Sequence, residues 1–123
     1  MTYAHILVAE DNYPNQMLIK TYLRKIEFSC LLVKNGREAI SAIDDEDFDL
    51  VLMDIQMPQM DGLEATRRIR AMDGVARNIP IVGLTASVHE DALQRCLEAG
   101  MNAVITKPVK AVVLYEQIKQ FIQ

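Results

Sequence analysis

The chain has no tryptophan, only two cysteines and two histidines, and no apolar run near the ~18 residues of a membrane span. Cys30 and Cys96 sit inside apolar stretches and stand in no metal-type spacing with histidine. A zinc framework is therefore excluded, and buried reduced thiols are expected. Positive charge is in deficit: 13 Lys and Arg face 17 Asp and Glu, for a net charge of −4. That argues against nucleic acid as a direct partner, because phosphate contact needs a basic face. Repeats, low-complexity tracts and internal linkers are missing as well, so residues 1–123 read as one domain. Met1-Thr2-Tyr3 leads almost directly into a strand, so neither a signal peptide nor membrane contact by this domain is expected.

What is present suffices for a core. Half of the residues are apolar and 24% are charged. A chain of this length buries roughly two-thirds of its unfolded surface. Leu50-Val51-Leu52-Met53 reads as a strand buried on both faces. Asp54 ends it, and Pro58 and Gly62 mark a loop beyond. Shorter apolar runs occupy residues 6–9, 30–33, 81–84 and 103–105. Between them, helical spacing links Ile19, Leu23 and Ile26, then Ala39, Ile40 and Ile43, then Leu63, Thr66 and Ile69. Leu114, Ile118 and Phe121 or Ile122 line a last helix. Pro14 suits a first helical turn. Asp61 with Glu64, and Ser87 with Glu90, have capping-box spacing, and Gly100 is placed to end the fourth helix. Asp73-Gly74 breaks the third. The acidic run 44–47 and the cluster Arg67, Arg68 and Arg70 read as solvated. His5 reads as a strand-end residue and His89 as exposed.

The order βαβαβαβαβα implies an α/β fold, a doubly wound five-stranded parallel sheet with helices on both faces. Such sheets bind ligands outside the strand carboxyl ends, where the strand order reverses. The residues at those exits are Glu10 and Asp11, then Asp54, Thr85 and Lys107. Three crowded carboxylates repel one another unless a cation joins them. A hard divalent ion with oxygen ligands fits, and Mg²⁺ takes one or two carboxylates together with a phosphate. In outline this is a phosphoryl-transfer site, with Asp54 as nucleophile and Lys107 and Thr85 holding the phosphoryl oxygens.

From residue 4 onward the chain resembles the receiver domains of two-component response regulators, the chemotaxis-regulator-like fold. The resemblance rests on Val8-Ala9-Glu10-Asp11-Asn12, the run Met53-Asp54-Ile55-Gln56-Met57-Pro58-Gln59-Met60-Asp61-Gly62, Leu84-Thr85-Ala86, Ala99-Gly100-Met101 and Thr106-Lys107-Pro108. The wording is most similar to receivers of hybrid sensor histidine kinases. The resemblance implies a flavodoxin-like sheet of order 2-1-3-4-5. It makes Asp54 the phosphoacceptor and Asp11 a direct metal ligand, with Glu10 reaching the metal through water. The backbone carbonyl of Gln56 becomes the third protein ligand. Lys107 pairs with the phosphoryl group, Thr85 supplies the switch hydroxyl, and Gln56 and Ser87 tune dephosphorylation. Mg²⁺ or Mn²⁺ is the implied cofactor, and Lys107-Pro108 an implied cis peptide. The implied partner is a histidine kinase or a histidine phosphotransfer protein, with homodimerisation on phosphorylation left open. The domain would be cytoplasmic, alone or as the cytoplasmic part of a membrane-bound hybrid kinase. It would catalyse only its own phosphorylation and dephosphorylation.

One position departs from the family: Val104 stands where an aromatic residue is usual, so the aromatic half of the switch is missing. Three other readings fit less well. A binding module that has lost phosphorylation would not need the complete set of Glu10, Asp11, Asp54, Thr85 and Lys107. A phosphatase of the haloacid dehalogenase type needs an aspartate where Gln56 stands. In a flavodoxin, Glu10 and Asp11 would repel the bound phosphate.

Overall fold

The computed structural model describes residues 3–122. Five parallel strands lie in the order β2-β1-β3-β4-β5: β1 (His5–Ala9), β2 (Ser29–Val33), β3 (Leu50–Asp54), β4 (Ile81–Thr85) and β5 (Ala103–Thr106). The helices α1 (Tyr13–Lys25), α2 (Gly36–Asp45), α3 (Gly62–Arg70), α4 (Glu90–Ala99) and α5 (Ala111–Phe121) follow the strands in turn. This is the expected topology. Strand order reverses between β1 and β3, and register places Ala9 beside Met53 at that point. The acidic strand exits therefore open side by side.

Strand alternation divides the core in two. Leu7, Val51, Met53 and Ile81 point to one face, against Ala39 and Ile43 of α2, Ala65 and Ile69 of α3 and Cys96 of α4. Ile6, Val8, Leu50, Leu52, Val82 and Leu84 point to the other, against Ile19 and Leu23 of α1 and Leu114 and Ile118 of α5. All five residues of β3 are buried, as its unbroken apolar run predicts for a strand covered on both sides. Each fully buried Leu or Ile contributes roughly 1.5–3 kcal/mol. Tyr22 and Tyr115 stack edge-on and tie α1 to α5, the Tyr115 hydroxyl donating to the Tyr22 carbonyl at 2.8 Å.

Several local expectations change. Cys96 is buried, but Cys30 is only half-buried, because β2 is an edge strand. The acidic run is not wholly solvated: Glu46 accepts a 2.7 Å contact from the His5 ring, which stacks on Phe48 and also meets Ser29 Oγ. Asp61 caps α3 through the Glu64 amide, yet Glu64 turns outward to Arg68 and Arg67 and does not complete a capping box. Ser87 does not cap α4 either: its Oγ accepts from the His89 amide, and the helix begins at Glu90. Gly100 ends α4 in the left-handed region at φ 112°. A 3₁₀ turn at Val75–Asn78, unforeseen in the sequence, leads into β4.

Arg70 is the largest correction. Arg67 and Arg68 do lie exposed, but Arg70 turns inward as a tether. Its guanidinium donates to the carbonyls of Gly100 at 2.9 Å, Arg77 at 2.8 Å and Ile79 at 2.7 Å, and to Asn102 Oδ1 at 2.8 Å. One side chain thus joins the end of α3, the 3₁₀ turn and the α4–β5 loop. Arg70→Ala should cost about 1.5–3 kcal/mol, the usual range for hydrogen bonds to a charged group. Arg70→Lys should recover less than half, because an ammonium lacks the planar fork. Urea denaturation of both variants measures this.

Candidate functional site

Glu10, Asp11, Asp54, Gln56, Thr85, Ser87 and Lys107 all line one cleft of about 690 Å³ over the strand carboxyl ends. The sequence singled out these seven residues, and tertiary structure brings every one to the same cavity. Burial grades them. Glu10 is fully buried and Asp54 is 3% exposed, whereas Asp11 and Gln56 lie at the open surface.

Glu10 is held from several sides. Its amide donates to the Val33 carbonyl, and its own carbonyl accepts from Gln16 Nε2 at 2.6 Å. Its Oε1 accepts from Asn15 Nδ2 at 2.8 Å. Lys107 Nζ lies 3.1 Å from Glu10 Oε2 and 3.0 Å from Asp54 Oδ2, so one ammonium bridges both buried carboxylates. The other Asp54 oxygen accepts from the Gln56 amide at 3.2 Å. Lys107 is delivered by β5, where its amide donates to the Thr85 carbonyl at 2.7 Å and the Lys107–Pro108 peptide is cis. Thr85 Oγ1 accepts from the Ser87 amide, leaving its hydroxyl proton to be offered into the cleft. Val104 is half-buried and paired with Gly83, packed into the α2/α3/α4 side of the core.

One carboxylate oxygen each from Glu10, Asp11 and Asp54 lie within 4.8 Å of one another. A single ammonium does not balance three carboxylates, and the donor set is all oxygen. These residues fit a hard divalent cation. The charge imbalance appears in the titration of the cluster. Burial, reinforced by the adjacent Glu10 carboxyl, pushes Asp54 up to about 7 despite its contact with Lys107. Burial also pushes Glu10 up, but hydrogen bonds with Asp54, Asn15 and Lys107 outweigh it and hold Glu10 below the usual carboxylate range. Burial alone would lower the Lys107 ammonium, and contact with the two carboxylates raises it instead.

Comparison with known proteins agrees with this geometry. Residues 6–119 match the response regulator receiver domain family. The chain belongs to that family. It is 38% identical over 116 residues to the autoinducer 2 sensor kinase/phosphatase LuxQ of Vibrio vulnificus, an alignment covering 94% of this chain and 13% of LuxQ. Among solved structures it is similar to the receiver domain of a sensor histidine kinase from Pseudomonas aeruginosa. That match has 36% identity, a TM-score of 0.90 and coverage of 98% of both chains. The Pseudomonas structure has a magnesium ion coordinated in its active-site cleft. A Saccharomyces cerevisiae receiver, crystallised with a histidine phosphotransfer signalling protein, is 32% identical with a TM-score of 0.89, over 97% of this chain and 88% of that one. As a receiver domain of two-component signalling, this chain spans only 7% to 15% of the length of its kinase relatives. Among the described residues, no helix is long and apolar enough to cross a membrane.

Two contributors to the site escaped the sequence reading. Asn15, one turn into α1, was legible only as a polar helix residue, yet it holds Glu10. Gly62 read as part of the loop beyond β3, but its role is steric. A Cβ there would lie 2.1 Å from the Asp54 carbonyl oxygen, so α3 approaches the end of β3 more closely than any side chain permits. Gly62→Ala should therefore destabilise the fold by about 1–3 kcal/mol and displace the Asp54 backbone. Urea denaturation and the Asp54 and Gln56 amide shifts report the two effects. A second expectation concerns pH. A raised Asp54 stabilises the metal-free fold below its unfolded value, and that stability is lost as pH rises through about 7. In chelator, wild type should lose stability relative to Asp54→Asn by at most about 1.4 kcal/mol per pH unit between about pH 4 and about pH 7, and no further above it. Thermal denaturation across that range measures it.

Proposed function

We propose that residues 1–123 form one phosphoacceptor domain that takes a phosphoryl group from a phosphohistidine onto Asp54 in a Mg²⁺-dependent reaction. The supporting observation is the bridge from Lys107 to Asp54 and Glu10, in a cleft that also holds Asp11 and Thr85. Glu10, Asp11, Asp54 and the backbone carbonyl of Gln56 would hold Mg²⁺ or Mn²⁺. When bound, the ion neutralises oxyanion charge and favours the ionised Asp54. An Asp54 carboxylate oxygen attacks phosphorus, and the bond from phosphorus to the donor imidazole nitrogen breaks with its electron pair. Lys107, already against Asp54, shifts onto a phosphoryl oxygen. Thr85 donates its hydroxyl to another, drawing on the Ser87 amide and the start of α4. The product adds about −1.5 to −2 charge at the strand ends. Gln56 and Ser87 border the cleft where a hydrolytic water would approach, so their side chains set the phosphoryl lifetime.

The donor is a histidine kinase or a histidine phosphotransfer protein, of the kind crystallised with the related yeast receiver. Tyr13 of α1 is exposed and lines the cleft, Leu18 is exposed on the same helix, and the two would form the apolar part of that docking surface. Nucleic acid has no place in this reading, since the chain is acidic. The domain works in the cytoplasm, within or beside a hybrid kinase, and promotes only its own phosphorylation and dephosphorylation. Homodimerisation on phosphorylation is open to test by sedimentation with beryllofluoride, a phosphoryl mimic. With Val104 in place of a ring, the face formed by α4, β5 and α5 responds weakly to phosphorylation. The test is intact-mass analysis after incubation with acetyl phosphate and Mg²⁺. One phosphoryl group is expected on wild type, and none on Asp54→Asn or in excess chelator. Undiminished labelling of Asp54→Asn overturns the assignment.

A further inference from the structure

One cation at the cleft stands outside the network described above. Arg95, on α4, lines the cleft that holds Asp54 and also an adjoining outer cleft of about 620 Å³ beside the β3–α3 loop. Asp11, Gln56 and Leu63 line both, so the two clefts adjoin and Arg95 stands between them. Apart from the exposed Asp11 carboxylate, read above as a metal ligand, nearby charges are already engaged. Lys107 is held by Glu10 and Asp54, and the Asp61 side chain is taken up by the Glu64 amide. Arg67 and Arg68 are paired with Glu64, and Arg70 is tied to main-chain carbonyls. Among the described residues, Arg95 has no ion pair and no side-chain hydrogen bond. It is an exposed, uncommitted guanidinium at the entrance to a phosphoryl-accepting cleft. A guanidinium meets phosphate oxygens through two parallel hydrogen bonds, which an ammonium does not offer.

We propose that Arg95 receives anionic phosphodonors at the cleft entrance and selects dianionic acyl phosphates over donors of lower charge. The inference rests on Asp54 being the phosphoacceptor. With acetyl phosphate, an Asp54 oxygen bonds to phosphorus and the bond from phosphorus to the acyl oxygen breaks. Acetate leaves with the electron pair, and no proton is required. Negative charge is thus carried in by the donor and carried out by the leaving group, past Arg95 in both directions. Phosphoramidate, one negative charge poorer and losing neutral ammonia, draws less on that contact.

The test compares phosphorylation of Asp54 by acetyl phosphate and by phosphoramidate in wild type, Arg95→Gln and Arg95→Lys, with Mg²⁺, at low and high salt. Arg95→Gln should lower the second-order rate constant of phosphorylation by acetyl phosphate by about three- to tenfold and flatten its salt dependence. Its rate with phosphoramidate should be almost unchanged, and Arg95→Lys should be intermediate with acetyl phosphate. Inorganic phosphate should also shift the Arg95 Nε–H resonance of the wild-type protein. An acetyl phosphate rate unaltered in Arg95→Gln, or an equal fall with both donors, overturns the role of Arg95 alone. A wild-type protein labelled nowhere, or away from Asp54, overturns the receiver reading and this inference with it.

Discussion

The site depends on a single ammonium placed between two buried carboxylates. Lys107 Nζ is about equally close to Glu10 and Asp54, at 3.1 and 3.0 Å. Glu10 and Asp54 leave neighbouring strands at the point where the strand order reverses, so the sheet itself forces them together. Without a cation, burial and mutual repulsion would keep one of them protonated. Lys107 relieves part of that tension, and the rise of Asp54 to about 7 is what remains. The residual imbalance, in an all-oxygen donor set, is one that a hard divalent ion would fit.

That arrangement needs an unyielding frame. β3 is covered on both faces, and the two cores pack α2, α3 and α4 on one side and α1 and α5 on the other. Close packing extends to the backbone at Gly62, where α3 touches the Asp54 carbonyl directly. Arg70 performs a similar service at the far end of α3 by tying three loop segments with one guanidinium. Beside Asp54, the side-chain oxygens of Thr85 and Ser87 each accept from the amide two residues on.

The fold and most of the site were legible from local pattern. Unbroken apolar runs at residues 50–53 and 81–84 mark strands with two covered faces, and polar exits mark the functional edge. Strand-end chemistry is readable because parallel topology leaves few places for it to go. Caps were less legible. Asp61 behaves as its spacing predicts, but Glu64 finds arginines nearer than the cap, and Ser87 satisfies His89 one residue earlier than Glu90. Such choices are decided by competing partners of similar energy.

By itself, the sequence determined the alternating architecture, the strand exits and the identity of Glu10, Asp11, Asp54, Thr85 and Lys107 as one chemical group. It could do so because periodicity and residue type act over short separations. Only the tertiary structure decided what each long side chain reaches. Arg70 and Arg67 look alike in sequence, yet one is a tether and the other is solvated, because α3 turns a single edge toward the α4–β5 loop. Asn15 and Arg95 gain their places only when α1 and α4 are laid beside the same cleft. The Arg70 contacts to Gly100 and Asn102 join positions 30 and 32 residues apart, and no local pattern encodes them.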